Sequence, residues 1–316
     1  MTDGHWVVIT DTNLGDGSHE RAELGDAFTV TRHHVTTEDE VIEVGRGADA
    51  LMVQWAPITG RVLESLPGLR AVVRYGIGLD NVDLEAARRL GIKVGNVDDY
   101  CIDEVADHAA AAIHAHSRRL VSAARSFAER GWTTEGIAEP VPLREDVVGL
   151  AGFGRIGRGV ATRLRGLGFP VQMWDPFVTD VPAGITVAES LEELANAANH
   201  LSLHLALTRE TEHVVTGAVL DALGPSGHLV NTARGGLVDE AALLAALEAG
   251  QVGFASLDVL ASEPPTGVSA RLAAHPRVLV TPHVAYLSTG SLPQLRIRAA
   301  HKVRELLGAD DQGVTA

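Results

Sequence analysis

The sequence predicts an α/β fold, in which helices cover both faces of parallel β-sheets. Short apolar runs alternate with helical patterns along most of the 316 residues. One of these runs leads into a glycine-rich turn, a helix and a second apolar run. Alternating strands and helices favour parallel sheets. A chain of this length suggests about two domains, and we expect both to be doubly wound.

The first third of the chain predicts one small α/β domain. A helix is expected to begin at Thr37, because Glu40 three residues later completes a capping box. A second helix is expected near residues 83–90, ended by Gly91. Strands are predicted at 6–10, 28–31, 51–54, 71–74 and 93–97.

The middle of the chain predicts a long helix at about 102–129, followed by an irregular connection at 131–142. The alanine-rich face around 109–112 would allow another helix to pack closely. Beyond it, helices are predicted at 239–249 and 291–307. Strands are predicted at 147–151, 171–174, 200–205, 229–231, 255–259 and 278–281.

The stretch 147–175 has the order strand, tight turn, helix, strand and acid. Gly152 permits the turn, Gly154 lets the backbone approach a pyrophosphate, and Gly157 lets the helix pack against the sheet. Asp175 lies 18 residues after Gly157, where a carboxylate would accept hydrogen bonds from an adenosine ribose. Because it would repel a 2′-phosphate, it favours NAD over NADP. The alternative is a glycine-rich turn without a ligand.

Three polar segments follow predicted strands, at the sheet edge where α/β proteins bind ligands. Arg234 could grip a carboxylate with two hydrogen bonds, or be an ordinary surface arginine. Asp258 and Glu263 lie in the second segment, which could instead be a capped turn with solvated acids. His283 follows Pro282 and suits proton transfer near neutral pH, although a single histidine is more often structural.

One segment of the first domain could bind an anion. Gly76 and Gly78 follow a predicted strand and can expose backbone N–H groups, and Arg74 stands beside them. A carboxylate held here is one interpretation, and a simple strand-to-helix turn is the other.

These motifs, in this order, resemble the D-isomer-specific 2-hydroxyacid dehydrogenases. The resemblance extends over nearly the whole chain. It rests on RYGIGLDNVD (74–83), VADHA (105–109), GFGRIG (152–157), NTARGGLVDE (231–240), LDV…EPP (257–265) and TPHVAY (281–286).

The resemblance implies a role for each matching residue. Arg234 would bind the substrate carboxylate and carbonyl, His283 would transfer the proton, and Glu263 would pair with His283, all in a cleft between domains. Asp258 would contact the nicotinamide amide. The other implied cofactor-binding residues are Gly152, Gly154, Arg155, Ile156, Gly157, Asp175, Thr232 and Ala233. The implied substrate-binding residues are Arg74, Tyr75, Gly76, Ile77, Gly78 and Tyr286.

The resemblance also implies a domain layout and an activity. A Rossmann NAD-binding domain (99–286) would be inserted into a flavodoxin-like substrate domain (1–98 and 287–316). We expect an NAD-dependent enzyme that interconverts a small 2-keto acid and a D-2-hydroxy acid. It is expected to be a homodimer formed through the NAD-binding domain, with the helix from Ile102 a candidate interface.

Within the family, the motifs are most similar to the branch of C-terminal-binding-protein corepressors and their bacterial relatives. The alternative function is therefore an NADH-dependent binding protein with little catalytic activity. Tyr286 stands where the corepressor branch commonly has Trp, so the resemblance does not specify the substrate.

Composition narrows the possible partners. A formal net charge of -15 disfavours nucleic acid and anionic membranes, since both need clustered cations. No apolar stretch approaches the ~18 residues of a membrane span. Cys101 is the only cysteine, and the histidines lack metal-site spacing, so we expect a cytoplasmic protein without a metal.

Overall fold

The computed structural model describes residues 4–309. The chain divides into two compact units. Unit 1 comprises Met1–Tyr100 together with Leu287–Ala316, and unit 2 comprises Cys101–Tyr286.

In the described residues, unit 1 is a five-stranded parallel sheet with helices on both faces. Its strands are β1 (His5–Ile9), β2 (Phe28–Arg32), β3 (Ala50–Val53), β4 (Ala71–Arg74) and β5 (Lys93–Asn96). Its helices are α1 (Ser18–Leu24), α2 (Glu38–Gly45), α3 (Gly60–Glu64), α4 (Leu84–Leu90) and α12 (Ser291–Leu307).

The strand order of unit 1, β2-β1-β3-β4-β5, is that of flavodoxin-like sheets. Helices α2, α3 and α4 bury their apolar residues against one face, in a cluster that includes Val8, Leu51 and Val72. Helix α12 contacts β3, β4, β5 and α1, and so covers the other face. The last helix of the chain thus completes the core of the N-terminal unit.

In the described residues, unit 2 is a seven-stranded parallel sheet. Its strands are β6 (Val148–Ala151), β7 (Val171–Trp174), β8 (Thr186–Val187), β9 (His200–Leu203), β10 (His228–Asn231), β11 (Phe254–Leu257) and β12 (Val278–Val280). Its helices are α5 (Ile102–Ser117), α6 (Leu120–Arg130), α7 (Arg155–Leu167), α8 (Leu191–Ala197), α9 (Gly217–Leu223), α10 (Glu240–Ala249) and α11 (Gly267–Ala274).

The strand order of unit 2 is β12-β11-β10-β9-β6-β7-β8. All strands are parallel, but from β6 the chain first adds strands on one side of the sheet and then, from β9 on, on the other side. This is the Rossmann order with one further strand, and ligands bind outside the carboxyl ends of the strands at such a switch point. Helices α5 and α7 share one buried cluster, and α8, α9, α10 and α11 share the other. The predicted α/β fold with two doubly wound parallel sheets is confirmed.

The predicted helix boundaries agree with the structure where a cap residue marks them. Thr37 and Glu40 form the expected capping box, and Gly91 and Gly250 end α4 and α10 in the left-handed conformation. Helix α12 begins and ends at the predicted residues.

The single long helix predicted at 102–129 is wrong. The chain forms two helices, α5 and α6, because Arg119 takes a left-handed conformation with φ of 58°. This residue is not a glycine, so the sequence pattern offered no signal for the break. The alanine-rich face of α5 does pack against a helix, since Ala106, Ala109 and Ala110 are buried together with Val160 and Leu164 of α7.

Candidate active site

The glycine loop joins β6 to α7 and is tightly packed on one side. Gly152 has φ of 93°, and a Cβ there would lie 2.6 Å from the His204 carbonyl oxygen. A Cβ on Gly157 would lie 2.3 Å from the Gly152 carbonyl oxygen, so neither position accepts a side chain. At Gly154, by contrast, no described atom comes within 4 Å of such a Cβ. The loop is therefore open where a ligand would approach the backbone.

The start of α7 suits an anion. Gly154 is its N-cap, and no side chain in the described part of the chain caps the helix there. The N–H groups and positive dipole end of an uncapped first turn attract phosphate groups. Arg155 is exposed and Ile156 partly buried in this turn.

Asp175 follows β7 and braces the glycine loop. Its Oδ2 accepts a 2.8 Å hydrogen bond from the Phe153 N–H, and its Oδ1 accepts a 2.9 Å bond from the Phe177 N–H. A carboxylate has about four lone-pair sites, so two contacts leave room for ribose hydroxyls. The predicted ribose acid thus lies directly beside the glycine loop.

Asn231, at the end of β10, organises the loop that carries Arg234. Its amide oxygen accepts a hydrogen bond from the Ala233 N–H, and its amide nitrogen donates to the Arg234 carbonyl. The Arg234 guanidinium is half-buried and donates from Nη1 to the Ala233 carbonyl oxygen over 2.7 Å. Sequence reasoning missed the role of Asn231, because an asparagine at a strand end has no distinctive spacing.

Gly235 brings the loop of Arg234 against the loop that leads to Glu263. A Cβ on Gly235 would lie 2.0 Å from the carbonyl carbon of Leu260, so only glycine fits. Leu260 in turn donates its N–H to Glu263 Oε1 over 3.0 Å. This close packing of the two backbones therefore holds the loop of Arg234 next to the loop of Glu263.

Glu263 and His283 form a direct pair. Nδ1 of His283 lies 2.7 Å from Oε2 of Glu263, and the two side chains are 32% and 38% exposed. Nδ1 is then the protonated nitrogen of a neutral ring, which leaves Nε2 to exchange a proton with a substrate.

The charges around Glu263 keep it ionised. Burial alone would raise the pKa of the Glu263 carboxyl. The hydrogen bond and positive charge of His283, the Leu260 N–H and the charge of Arg234 outweigh burial and lower that pKa. An ionised Glu263 stabilises the imidazolium form of His283. The structure thus brings Arg234, Glu263 and His283 together on the strand-end loops of unit 2.

Asp258 lies at the end of β11 and is 3% exposed. Its Oδ1 accepts hydrogen bonds from the Thr281 hydroxyl and the Val284 N–H, and its Oδ2 accepts one from the Ala285 N–H. These contacts hold the segment that carries His283. The expected contact of Asp258 with a nicotinamide amide stays a prediction.

Tyr286 is partly buried near His283, with the two ring centroids 6.0 Å apart and nearly perpendicular planes. Thr232 and Ala233 are also partly buried, directly after β10. His204 is close to Ser202, with His204 Nε2 3.0 Å from the serine hydroxyl. Burial lowers the pKa of His204 to about 4, so it stays neutral.

The segment of unit 1 for which anion binding is predicted forms a tight turn after β4. Gly76 has φ of 115°, and a Cβ there would lie 2.7 Å from Arg74 Nη1, so the guanidinium lies against the turn. Arg74 Nε donates to the Gln54 carbonyl over 3.2 Å. The Asn96 amide donates to the Ile77 carbonyl and holds the turn before Gly78.

The structure corrects the expectation for Tyr75. Its side chain is 2% exposed and points into unit 1, where its hydroxyl donates to Glu20 over 2.9 Å. Burial is the main reason that the pKa of its phenol is raised well above the usual value. The Tyr75 side chain is therefore part of the core of unit 1 and does not line a substrate pocket.

No helix in the described part of the chain is both long and apolar enough to cross a membrane. Among residues 4–309, no group of three or more His, Cys, Asp or Glu side chains is arranged to hold a metal ion.

Comparison with known families agrees with this fold and site. The family described as D-isomer specific 2-hydroxyacid dehydrogenase, NAD binding domain, matches residues 110–285. Because the match covers more than half of the sequence, the chain belongs to the D-isomer specific 2-hydroxyacid dehydrogenase family and contains its NAD-binding domain. The open Gly154, the uncapped start of α7 and Asp175 fit this cofactor.

The chain is similar to several individual members of the family. It is 36% identical to the D-3-phosphoglycerate dehydrogenase of Mycobacterium tuberculosis over 292 residues, which is 92% of this chain and 55% of that protein. The chain thus spans about half the length of the curated relatives it matches.

Solved structures match over nearly their full length. The NADPH-dependent glyoxylate/hydroxypyruvate reductase of Sinorhizobium meliloti is 30% identical, with a TM-score of 0.83 over 96% of this chain and 94% of that one. The D-lactate dehydrogenase of Aquifex aeolicus is 24% identical, with a TM-score of 0.87 over 96% of each chain. This second likeness supports the fold alone.

Proposed function

We propose that the protein is an NAD-dependent oxidoreductase that interconverts a 2-keto acid and a D-2-hydroxy acid. The observation that carries this proposal is the hydrogen-bonded Glu263–His283 pair, with Arg234 beside it, in a unit of the NAD-binding family. The names of the relatives, which act on phosphoglycerate and on glyoxylate or hydroxypyruvate, support the same substrate class.

Each residue of the site has a separate role in the proposed reaction. Bound NADH supplies the hydride that reduces the carbonyl carbon. His283 donates a proton from Nε2 to the carbonyl oxygen, and takes it back in the oxidation direction. Glu263 fixes the orientation of the imidazole and stabilises its charged form. Arg234 binds the substrate carboxylate, which a planar guanidinium can do with two parallel hydrogen bonds.

We assign unit 2 to NAD binding and unit 1 to substrate binding. The Arg74 guanidinium packed on the Gly76 turn supports the second assignment, because it places a cation at the carboxyl end of β4. Tyr286 is proposed to contact the substrate from the segment that carries His283.

We propose NAD as the preferred cofactor, although the Sinorhizobium relative is described as NADPH-dependent. Asp175 is the reason, since its carboxylate would repel a 2′-phosphate. D175N removes the charge and keeps an oxygen for the loop. It should reduce the ratio of NADH to NADPH efficiency roughly tenfold. An unchanged ratio would contradict the ribose role of Asp175.

We propose that the protein forms a homodimer through the surface of unit 2. The alanine-rich face of α5 packs against α7 and is not available to a partner. We therefore place the proposed dimer interface on α6 and the segment that follows it. Leu120 and Phe127 are each 57% exposed and Trp132 is 96% exposed, an arrangement that monomers seldom leave uncovered. Sedimentation should give about twice the chain mass of 33.3 kDa, and F127E should shift the measured mass toward that of the monomer.

The single cysteine fits a reducing compartment, and we propose that the protein is located in the cytoplasm.

The proposed activity is tested by NADH oxidation against a panel of bulky, acidic and phosphorylated 2-keto acids. At least one keto acid should be reduced to the D-hydroxy acid. H283A should lose turnover by roughly a hundredfold or more while still binding NADH. Full activity of H283A would overturn the role of His283. NADH binding without turnover on any keto acid would instead favour the NADH-dependent binding protein.

A further inference from the structure

The segment that carries His283 is wrapped around Asp258. His283 has φ of 52°, a left-handed conformation that residues other than glycine rarely adopt. Its N–H donates to the Asp258 carbonyl, while the next two N–H groups, of Val284 and Ala285, donate to the Asp258 carboxylate. Three consecutive backbone donors therefore converge on one residue, which fixes the direction of the imidazole.

The Asp258 carboxylate is almost fully buried and depends on these hydrogen bonds. A buried charge is costly unless hydrogen bonds compensate it. Its third side-chain contact is the Thr281 hydroxyl, 2.5 Å from Oδ1. Thr281 is also the first residue of the segment, so its hydroxyl closes the turn around the carboxylate.

His108 extends this network from α5. Its Nε2 lies 3.2 Å from the Thr281 hydroxyl oxygen and 3.9 Å from Asp258 Oδ1. The single hydroxyl hydrogen of Thr281 goes to Asp258, so Thr281 can only accept from His108. The bonds therefore run in one direction, from His108 Nε2–H to Thr281 O–H and on to Asp258. Donors and acceptors in such a chain polarise and strengthen one another.

We propose that His108, acting through Thr281 and Asp258, is a positioning residue for His283. The inference rests on the proposed function, in which His283 transfers the proton. It differs from a cofactor role for Asp258, because loss of a nicotinamide contact would weaken NADH binding. Loss of positioning would slow turnover with NADH bound normally.

The proposed network would hold His283 in place relative to three other side chains of unit 2. Glu263 is bonded to its Nδ1, the charge of Arg234 acts on Glu263, and the Tyr286 ring lies against the imidazole. If the segment loosens around Asp258, the imidazole moves away from Glu263. The proton-transfer geometry is then lost, although His108 and Thr281 form their hydrogen bonds with each other and with Asp258 and not with the imidazole.

Two matched pairs of variants test the proposal. T281V keeps the shape of the side chain without the hydroxyl, and T281S keeps the hydroxyl. H108F keeps a ring without the N–H donor, and H108Q keeps a donor near the position of Nε2. We expect T281V and H108F to lower kcat roughly tenfold or more, with the NADH Kd within about twofold of the wild-type value. T281S and H108Q should retain most of the wild-type kcat.

A spectroscopic readout separates this proposal from the proposed function. The low-field proton resonance of the His283 Nδ1–H, bonded to Glu263, should weaken or disappear in T281V and H108F without NADH or substrate. If the wild type reduces no keto acid but this resonance responds as expected, the positioning role stands and the proposed function fails. If T281V and H108F both fold and keep the resonance and kcat, the positioning role is overturned. A raised NADH Kd with unchanged kcat would overturn it as well, in favour of a cofactor contact.

Discussion

The Glu263–His283 pair concentrates the proposed chemistry in two side chains. The pKa of the Glu263 carboxyl is below its usual value. His283, the Leu260 N–H and Arg234 lower this pKa by more than burial raises it. A carboxyl with a lowered folded pKa stabilises the folded state above its unfolded pKa of about 4.3. That stability is lost as the pH falls through the folded pKa. The pair therefore persists in neutral and mildly acidic solution.

Replacing Glu263 with Gln tests the importance of its charge. E263Q can still contact Nδ1, but it no longer stabilises the imidazolium. We expect kcat for keto acid reduction at pH 7 to fall roughly ten- to hundredfold, with little change in NADH binding. Steady-state kinetics and NADH fluorescence titration measure the two quantities. A kcat equal to that of the wild type would mean that the carboxylate charge does not assist proton transfer.

At the scale of secondary-structure elements, α5 and the sheet of unit 2 enclose a cluster of histidines. Nδ1 of His200 lies 2.9 Å from Nδ1 of His228, and the His116 ring centroid is 4.1 Å from that of His228. Burial first, and then the charges of His200 and Arg119, lower the pKa of His116 to about 3 despite the opposing charge of Asp146. Burial also lowers the pKa of His228 well below the usual value.

His116 and His228 should make the fold sensitive to acid. Below the unfolded pKa of about 6.5, these two side chains take up protons in the unfolded chain but not in the folded protein. Each such histidine lowers the free energy of unfolding by about 1.4 kcal/mol per pH unit until its folded pKa is reached. H116Q should therefore lose about 2 kcal/mol less than the wild type between pH 7.5 and pH 5. Urea unfolding at both pH values measures this, with H34Q at an exposed histidine as control. An equal loss in H116Q and wild type would contradict the assignment.

Gly235 is the contact at which the loops after β10 and β11 meet. An added Cβ would clash with the Leu260 backbone, so G235A should push the loop of Arg234 away from that of Glu263. We expect a loss of kcat of roughly a hundredfold and a lower melting temperature. G166A is the matched control, because no described atom lies within 4 Å of a Cβ at this α7 position. It should stabilise the protein by about 0.5–1 kcal/mol. Equal behaviour of the two variants would refute the packing argument.

At the scale of the whole molecule, the chain returns to its beginning through α12. Arg296 donates to Glu20 from both Nε and Nη2, across 276 residues of sequence. The Glu20 side chain is 1% exposed and also accepts the Tyr75 hydroxyl. Unit 1 is therefore complete only when the last helix has docked.

Breaking this buried pair should destabilise unit 1. R296L leaves the Glu20 carboxylate buried without its cation, which should cost about 3–5 kcal/mol. The double variant R296L/E20L removes both charges and should recover much of the loss. Chemical denaturation followed by circular dichroism checks both values. If R296L is as stable as the wild type, the ion pair does not hold α12 in place.

Local patterns in the sequence determined the alternation of strands and helices, the capped helix ends and the glycine loop. These features depend on residues a few positions apart, such as Thr37 with Glu40 or Gly152 with Gly157. The strand-end positions of Arg234, Glu263 and His283 were also readable, and the family resemblance assigned their roles. Periodicity was not sufficient for the break at Arg119, since a left-handed arginine has no local signature.

Only the tertiary structure decided which polar side chains meet. Tyr75 stands within a motif that indicates a binding site, yet its hydroxyl is used by Glu20 and lies in the core of unit 1. His108 belongs to a motif with no assigned role, yet it lies 3.2 Å from the hydroxyl of a residue 173 positions later. The physical reason is that hydrophobic periodicity specifies which face of an element is buried. The side-chain partners on that face depend on strand order and helix docking, which join distant parts of the chain.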